Sequence, residues 1–170
     1  MPFLDAEQLK KRLDAMSKLE EKLSFRIARL AKLMETHAVR TLGEAPLSLT
    51  GYRIMMSVEL FEETSAADLG HVLLIDRAQI SRSVRDLMEQ GFLLTRPDPG
   101  SKRRKLLRLS EEGQALLETV KPAFARRQEG FISALEETEA VALNDAIATL
   151  TSHLAQALED TGKADTDSRG

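Results

Sequence analysis

The stretch SAADLGHVLLIDRAQISRSVRDLMEQG, residues 65–91, contains two helix-start signals in quick succession. In each signal a capping side chain can accept a hydrogen bond from the amide three residues later, while that later side chain reaches back. Only a tight turn separates the two helices, and a glycine that can take the left-handed conformation ends the second. The spacing predicts a helix-turn-helix. The two capping pairs are Ser65 with Asp68 and Asp76 with Gln79, and the terminating glycine is Gly91.

The second helix of this pair has two opposite faces. At about 100° per residue, one apolar stripe contains Ile80, Val84, Leu87 and Met88. Arg82 points almost directly away from the stripe, with Ala78, Gln79, Arg85 and Asp86 beside it. An ordinary solvated helix face has the same pattern. Its position after a tight turn favours a helix that enters the DNA major groove.

A β-hairpin with a basic tip is predicted directly after the helix pair. FLLTRP and RKLLRL flank Asp98-Pro-Gly-Ser101, where Pro99 and Gly100 suit the centre of a type II turn. The cations could be a solvated surface, but beside the helix pair they are expected to face a phosphate backbone. The five cations of this segment are Lys102, Arg103, Arg104, Lys105 and Arg108.

Charge is distributed unevenly along the chain. The whole sequence has a net charge of −3, so the net charge gives no reason to expect a nucleic-acid partner. Residues 77–108, however, hold nine cations against three carboxylates, a local charge of +6 that leaves −9 for the remainder. Such asymmetry is typical of a local anion site.

Long helices are predicted on both sides of this region. Residues 6–42 contain no proline or glycine, and their near-heptad apolar seam predicts one helix. Thr50 is expected to cap the following helix and Ser110 a later one, while the residues from about 160 predict a disordered tail. The terminal seams are either internal core or an interface with a second copy. The residues predicted for the interface are Leu9, Leu13, Met16, Ile147, Leu150 and Leu154.

Several functional classes find no support in the sequence. There is no cysteine, and His37, His71 and His153 are scattered, so no metal or other cofactor is expected. Phosphate-loop, dinucleotide, nucleophile-elbow and zincin motifs are missing, which argues against an enzyme. The charged start, MPFLDAEQLKKR, and the lack of a long apolar run predict a soluble cytoplasmic protein.

Residues 49–113, from LTGYRIMM through IDRAQISRSVRDLMEQGFLLTRPDP to LRLSEEG, resemble the core of MarR-family transcription regulators. The resemblance implies a mostly helical winged helix-turn-helix with a small hairpin wing and flanking dimerisation helices. The corresponding division is 1–45 and 114–159 for dimerisation, 46–113 for DNA binding, and 160–170 for the tail. The wing differs from the family's Asp-x-Arg pattern, because Ser101-Lys102-Arg103 stands there.

The resemblance further implies a homodimeric, ligand-responsive repressor that binds a pseudo-palindromic operator on double-stranded DNA. The alternative is a winged-helix adaptor that contacts proteins, although no aromatic residue lies on the Arg82 face of the second helix or in Lys102–Lys105. Neither the operator nor the small-molecule effector can be read from the sequence. Base contacts are expected from Gln79, Ser81 and Arg82, and backbone or minor-groove contacts from Ser65, Arg85, Lys102, Arg103 and Arg104.

Overall fold

A computed structural model of the chain describes the backbone of residues 6–167, with the side chains of 6, 9, 13–15, 102, 103, 159 and 161–167 outside the description. The described backbone forms seven helices and three strands, and the chain divides into two compact units between Phe124 and Ala125. The elements are α1 (Ala6–Glu20), α2 (Leu23–Leu42), α3 (Leu49–Leu60), β1 (Thr64–Ser65), α4 (Ala66–Leu73), α5 (Arg77–Glu89), β2 (Leu93–Asp98), β3 (Ser101–Leu109), α6 (Glu111–Ile132) and α7 (Glu137–Asp167).

The core of the first unit is built by the end of α2, by α3, α4 and α5, by the sheet and by the first half of α6. Ile54, Leu69, Ile80 and Leu117 are fully buried within it. The Tyr52 and Phe124 rings stack with their centroids 3.9 Å apart. Leu117 and Val120 of α6 belong to this core and Phe124 packs against it, and the compact unit ends at Phe124. The core residues are Leu42, Tyr52, Ile54, Met55, Val58, Leu69, Ile80, Val84, Leu87, Leu93, Leu107, Leu117 and Val120.

The three strands form an antiparallel sheet in the order β1-β3-β2, with β1 before the helix pair in the chain and β2 and β3 after it. In its register, Leu93 lies opposite Leu109 and Thr64 opposite Leu107. The hairpin of β2 and β3 confirms the predicted wing, and the fold is a winged helix. The short strand β1 was not predicted, because two residues are too few to show the alternation by which strands are recognised.

The start of α6 lies unusually close to the start of the hairpin. Ser110 Oγ caps the helix by accepting from the Gly113 amide at 2.9 Å, as predicted, and donates to the Gly91 carbonyl at 2.6 Å. A Cβ atom at Gly113 would lie 2.1 Å from the Phe92 carbonyl oxygen. Only glycine therefore permits this approach of helix and strand.

Two predicted helix boundaries were wrong. The predicted helix over 6–42 is interrupted, because Lys22 adopts extended dihedral angles between α1 and α2. One such residue ends a helix without any proline or glycine signal. The cap of α3 is Ser48, whose hydroxyl accepts from the Gly51 amide at 2.9 Å, and Thr50 lies inside the first turn of the helix.

The second unit contains the end of α6 and all of α7. The Arg127 guanidinium lies 4.5 Å above the centre of the Phe131 ring. The backbone of α7 is helical as far as Asp167, beyond the point where the sequence predicts a disordered tail. An existing helix can add residues without a new nucleation cost, even where they lack apolar side chains. Its large apolar side chains are exposed, namely Val141, Leu143, Ile147, Leu150, Leu154 and Leu158.

Candidate nucleic-acid interface

Caps fix the start of both helices of the helix-turn-helix. At α4, Ser65 Oγ accepts from the Asp68 amide and the Asp68 carboxylate accepts from the Ser65 amide, at 3.3 and 3.1 Å. At α5, Asp76 accepts from the Gln79 amide at 2.9 Å. Leu74 lies between the helices with a left-handed φ of 52°, a conformation that costs a non-glycine residue about 1–2 kcal/mol. The capping box of α4 is confirmed, and the tight turn is as predicted.

The Gln79 side chain differs from its prediction. It does not complete a capping box with Asp76; its Nε2 donates instead to Thr50 Oγ1 at 3.3 Å. Thr50 is half-buried in the first turn of α3, and Gln79 is exposed in the first turn of α5. The hydrogen bond therefore joins the starts of two helices that are 29 residues apart in sequence.

The two faces of α5 agree with the sequence prediction, with one exception. Ile80, Val84 and Leu87 are buried against the core. Met88 was expected in the same stripe but is 40% exposed, because it lies in the last turn of α5, where it lines a surface depression with Ala66 and Arg85. The opposite side of α5 presents Gln79, Ser81, Arg82 and Arg85, which we call the reading face.

The wing is a hairpin whose basic segment lies between its regular ladder and its turn. Pro97 lies opposite Lys105, whereas the next residue, Asp98, lies opposite Ser101, so β3 advances by four residues where β2 advances by one. The predicted type II turn was wrong, because Gly100 does not have a positive φ. The turn is instead closed by Asp98 Oδ1, which accepts from the Gly100 amide at 2.8 Å. Residues 102–104 fall in this irregular part.

Ion pairs connect the wing to the rest of the domain. Arg104 donates to the Asp68 carboxylate of α4 and lies 3.4 Å from Asp98. Arg96 forms a two-pronged pair with Glu63, just before β1. Asp68 thus serves both the α4 cap and the wing. These pairs link the hairpin to α4 and to the residue before β1, and sequence reasoning missed them because their partners lie 36 and 33 residues apart.

The carboxylates in these pairs have altered acidity. Hydrogen bonds from the Ser65 hydroxyl and amide, followed by the positive charge of Arg104, lower the pKa of Asp68 below its ordinary value. The hydrogen bond from Arg96 lowers the pKa of Glu63. Both carboxylates are therefore charged at neutral pH, and both guanidiniums have internal partners.

The predicted contact residues fall into four groups. Gln79, Ser81, Arg82 and Arg85 come together on one side of α5. Ser65 is only 4% exposed and its hydroxyl donates to Asp68 at 2.8 Å, so its side chain serves the cap, and its predicted phosphate contact stays a prediction. Arg104 is committed to Asp68 and Asp98. The side chains of Lys102 and Arg103 lie outside the described part of the structure.

The residues predicted for the dimer interface are exposed wherever the structure describes their side chains. Met16 on α1 is exposed, and so are Ile147, Leu150 and Leu154 on α7. The side chains of Leu9 and Leu13 lie outside the described residues. The apolar seam of α7 is thus uncovered among the described residues. It could serve as a dimer interface, and the dimer stays a prediction.

Metal sites and membrane-spanning helices are not found in the described part of the chain. No group of three or more histidine, aspartate or glutamate side chains there could hold a metal ion, and His71 and His153 are exposed. Among the helices of that same part, none combines the length and apolar character needed to cross a membrane.

Comparison with known proteins agrees with this geometry. Residues 54–113 match a family described as a winged helix DNA-binding domain. This segment includes most of α3, the helix-turn-helix and the complete wing. No curated protein sequence matches the chain.

Solved structures of DNA-binding regulators have the same fold. The MepR–DNA complex from S. aureus is 18% identical, with a TM-score of 0.74 over 79% of this chain and 98% of MepR. BpsR from Bordetella bronchiseptica, whose DNA binding is regulated by 6-hydroxynicotinic acid, is 19% identical, with a TM-score of 0.71 over 78% and 94%. A mutant MarR from E. coli in complex with operator DNA is 20% identical, with a TM-score of 0.63 over 76% and 99%. At these identities the likeness shows the fold.

Proposed function

We propose that this chain, a winged helix protein with the fold of the MarR-type regulators, is a transcription regulator that binds a specific double-stranded DNA sequence as a homodimer. The observation that carries the proposal is the reading face of α5. A polar and cationic surface stands there directly opposite a buried apolar stripe, at the second helix of a helix-turn-helix. That is the position from which such a helix contacts base edges.

The reading face supplies groups that can distinguish base pairs. Arg82 lies almost directly opposite the buried stripe, and a guanidinium there can donate two hydrogen bonds to the O6 and N7 atoms of guanine. Gln79 and Ser81, in the first part of the helix, offer a carboxamide and a hydroxyl to neighbouring bases. Arg85, nearer the end of α5, is assigned to the phosphate backbone.

The wing supplies the second contact region. Arg103 and Lys102 lie in the irregular segment near the hairpin tip, where a cation can reach phosphate or the minor groove. Arg104 has a different role in this proposal. Its pairing with Asp68 and Asp98 sets the position of the hairpin, and a phosphate contact by Arg104 would have to exchange one of these partners.

The homodimer is supported by the exposed apolar side chains of the flanking helices. A contiguous uncovered seam such as that of α7 is typical of a protein interface. Two identical domains on a two-fold axis bind a pseudo-palindromic operator, with half-sites about 10 to 10.5 base pairs apart. Association also provides the affinity that one small domain lacks against a genome's excess of sites.

We further propose repression that a small molecule relieves. Support comes from BpsR, whose DNA binding responds to 6-hydroxynicotinic acid. The proposal includes no catalytic step and no cofactor, and it assigns the protein to the cytoplasm. The chemical class of the effector is left open.

The test compares Arg82→Ala with Arg103→Ala on an operator selected from random duplexes. Arg82→Ala is expected to relax the preference at one position in each half-site, by about 1–3 kcal/mol of discrimination. Arg103→Ala should weaken specific and random duplexes alike and reduce the salt slope of log affinity by about one unit. Equal loss across all single-base variants would make Arg82 a phosphate contact. Wild-type protein that selects no sequence would instead favour the protein-binding adaptor.

A further inference from the structure

The hydrogen bond from Gln79 Nε2 to Thr50 Oγ1, at 3.3 Å, restricts a side chain of the reading face. Gln79 is exposed in the first turn of α5, so its carboxamide is free to rotate unless another group holds it. Thr50 is half-buried in a different helix, and its hydroxyl is therefore a fixed reference point. The contact uses one of the two N–H groups of the carboxamide.

This hydrogen bond changes what Gln79 can offer a base. An unrestrained glutamine can present either two N–H donors or one donor with one acceptor, depending on how the amide is turned. With one N–H given to Thr50, the groups left are one N–H on Nε2 and the Oε1 acceptor. Guanine presents two acceptors in the major groove, N7 and O6, whereas adenine presents the N7 acceptor and the N6 donor. When Thr50 takes the N–H trans to Oε1, the remaining cis N–H and Oε1 point the same way and are complementary to adenine, whereas at guanine Oε1 would face an acceptor.

We infer that Thr50 is a specificity-determining positioning residue, which holds the Gln79 carboxamide so that it reads adenine and rejects guanine at one position of each half-site. This inference rests on the proposed function, because it requires α5 to lie in the major groove. Thr50 touches no base in this arrangement and acts only through Gln79.

The experiment begins by identifying the position that Gln79 reads. Wild-type protein and Gln79→Ala are assayed on the selected operator with all single-base substitutions, and the position whose preference Gln79→Ala removes is the one tested. Thr50→Val removes the hydroxyl at nearly constant volume, and Thr50→Ser retains it. A second variant, Thr50→Ala, is included, and thermal unfolding establishes that each variant is folded.

The expected result is a selective loss of discrimination. Thr50→Val and Thr50→Ala should lower the ratio of adenine to guanine affinity at that position by about tenfold, within the range that a bidentate base contact provides. Thr50→Ser should retain the wild-type ratio. The salt slope should stay constant in all of them, because no phosphate contact is lost. In a Gln79→Ala background, Thr50→Val should have no further effect on the ratio, since Thr50 acts through Gln79.

Other outcomes separate the inference from the function on which it rests. A wild-type protein that binds all duplexes equally overturns the proposed function itself. Sequence-specific binding with an unchanged adenine-to-guanine ratio in Thr50→Val overturns only the role of Thr50. A Thr50→Val effect that persists in the Gln79→Ala background contradicts it too, because Thr50 would then act by another route.

Discussion

The winged helix domain buries its apolar side chains, whereas the long helix α7 leaves its apolar side chains exposed. In the winged domain, Ile80, Val84 and Leu87 of α5 are buried by neighbouring elements of the same chain. On α7, Ile147 and Leu154 are 53% and 59% exposed, although they repeat at similar helical spacing. The same apolar periodicity therefore predicts a helix in both regions, yet only in the first is the burial completed within one chain.

The largest expected effect on DNA affinity comes from substitutions on α7, whose apolar side chains are not buried within one chain. Leu150→Glu with Leu154→Glu places two carboxylates on the exposed seam of α7, where burial without partners would be strongly unfavourable in a dimer. We expect a monomer by sedimentation, and a loss of affinity for the full pseudo-palindrome of about 100-fold or more, because the second half-site is no longer bound intramolecularly.

The matched control places the same charges, at the same spacing, on the other side of α7. Ser152 and Gln156 are exposed and lie away from the Leu150–Leu154 seam. Ser152→Glu with Gln156→Glu should remain a dimer with near wild-type affinity. Identical behaviour of the two double variants would contradict the interface. A wild-type monomer that binds one palindrome tightly would remove the dimer altogether.

The next largest effect is on stability, and it should differ between two glycines of the same helix, α6. Gly113→Ala forces a Cβ into the Phe92 carbonyl oxygen, so either the helix start or the strand must shift. We expect a loss of about 1–3 kcal/mol in the free energy of unfolding. A Cβ added at Gly130 would meet no other part of the described chain within 4 Å, and φ is not positive there, so Gly130→Ala should raise stability by about 0.5–1 kcal/mol. Chemical denaturation measures both, and equal effects would show that the first unit is not closely packed at Gly113.

The smallest expected effect concerns the ion pair between the wing and α4, and it depends on pH. Asp68→Asn weakens the α4 cap and the pair with Arg104, and we expect a loss below about 1 kcal/mol at pH 7, because the side chain is 42% exposed. In the folded state, hydrogen bonds from Ser65 and the charge of Arg104 lower the pKa of Asp68 below its ordinary value of 3.8. Its contribution is therefore present above pH 3.8 and is lost as pH falls through the lower, folded-state value.

The measurement is the free energy of unfolding of both proteins from about pH 7 to about pH 2.5. The difference in the free energy of unfolding between wild type and Asp68→Asn should become smaller below about pH 4, because the wild-type carboxylate takes up a proton there. Asp86→Asn, on the exposed side of α5, serves as the control. A gap that stays constant across this range would show that the charge of Asp68 does not contribute.

Local signals in the sequence were sufficient to predict most helices and strands of the candidate nucleic-acid interface. The Ser65 and Asp76 caps, the end of α5 before Gly91 and the exposed side of α5 all depend on residues within one or two helical turns of each other. The hairpin was likewise predicted from two short strands around Pro99 and Gly100. The type of its turn was predicted wrongly. Gly100 does not adopt the positive φ of a type II turn, and the Asp98 carboxylate accepts a hydrogen bond from the Gly100 amide instead.

The amino-acid sequence by itself determined the order of the elements and which face of α5 is polar, because capping and periodicity involve neighbouring residues. Only the tertiary structure decided that Gln79 bonds Thr50, that Arg104 bonds Asp68, and that two residues form β1 against β3. The physical reason is sequence distance. The partners in these contacts are separated by about thirty residues or more, so each pairing exists only after the intervening helices have packed, and no local pattern encodes it.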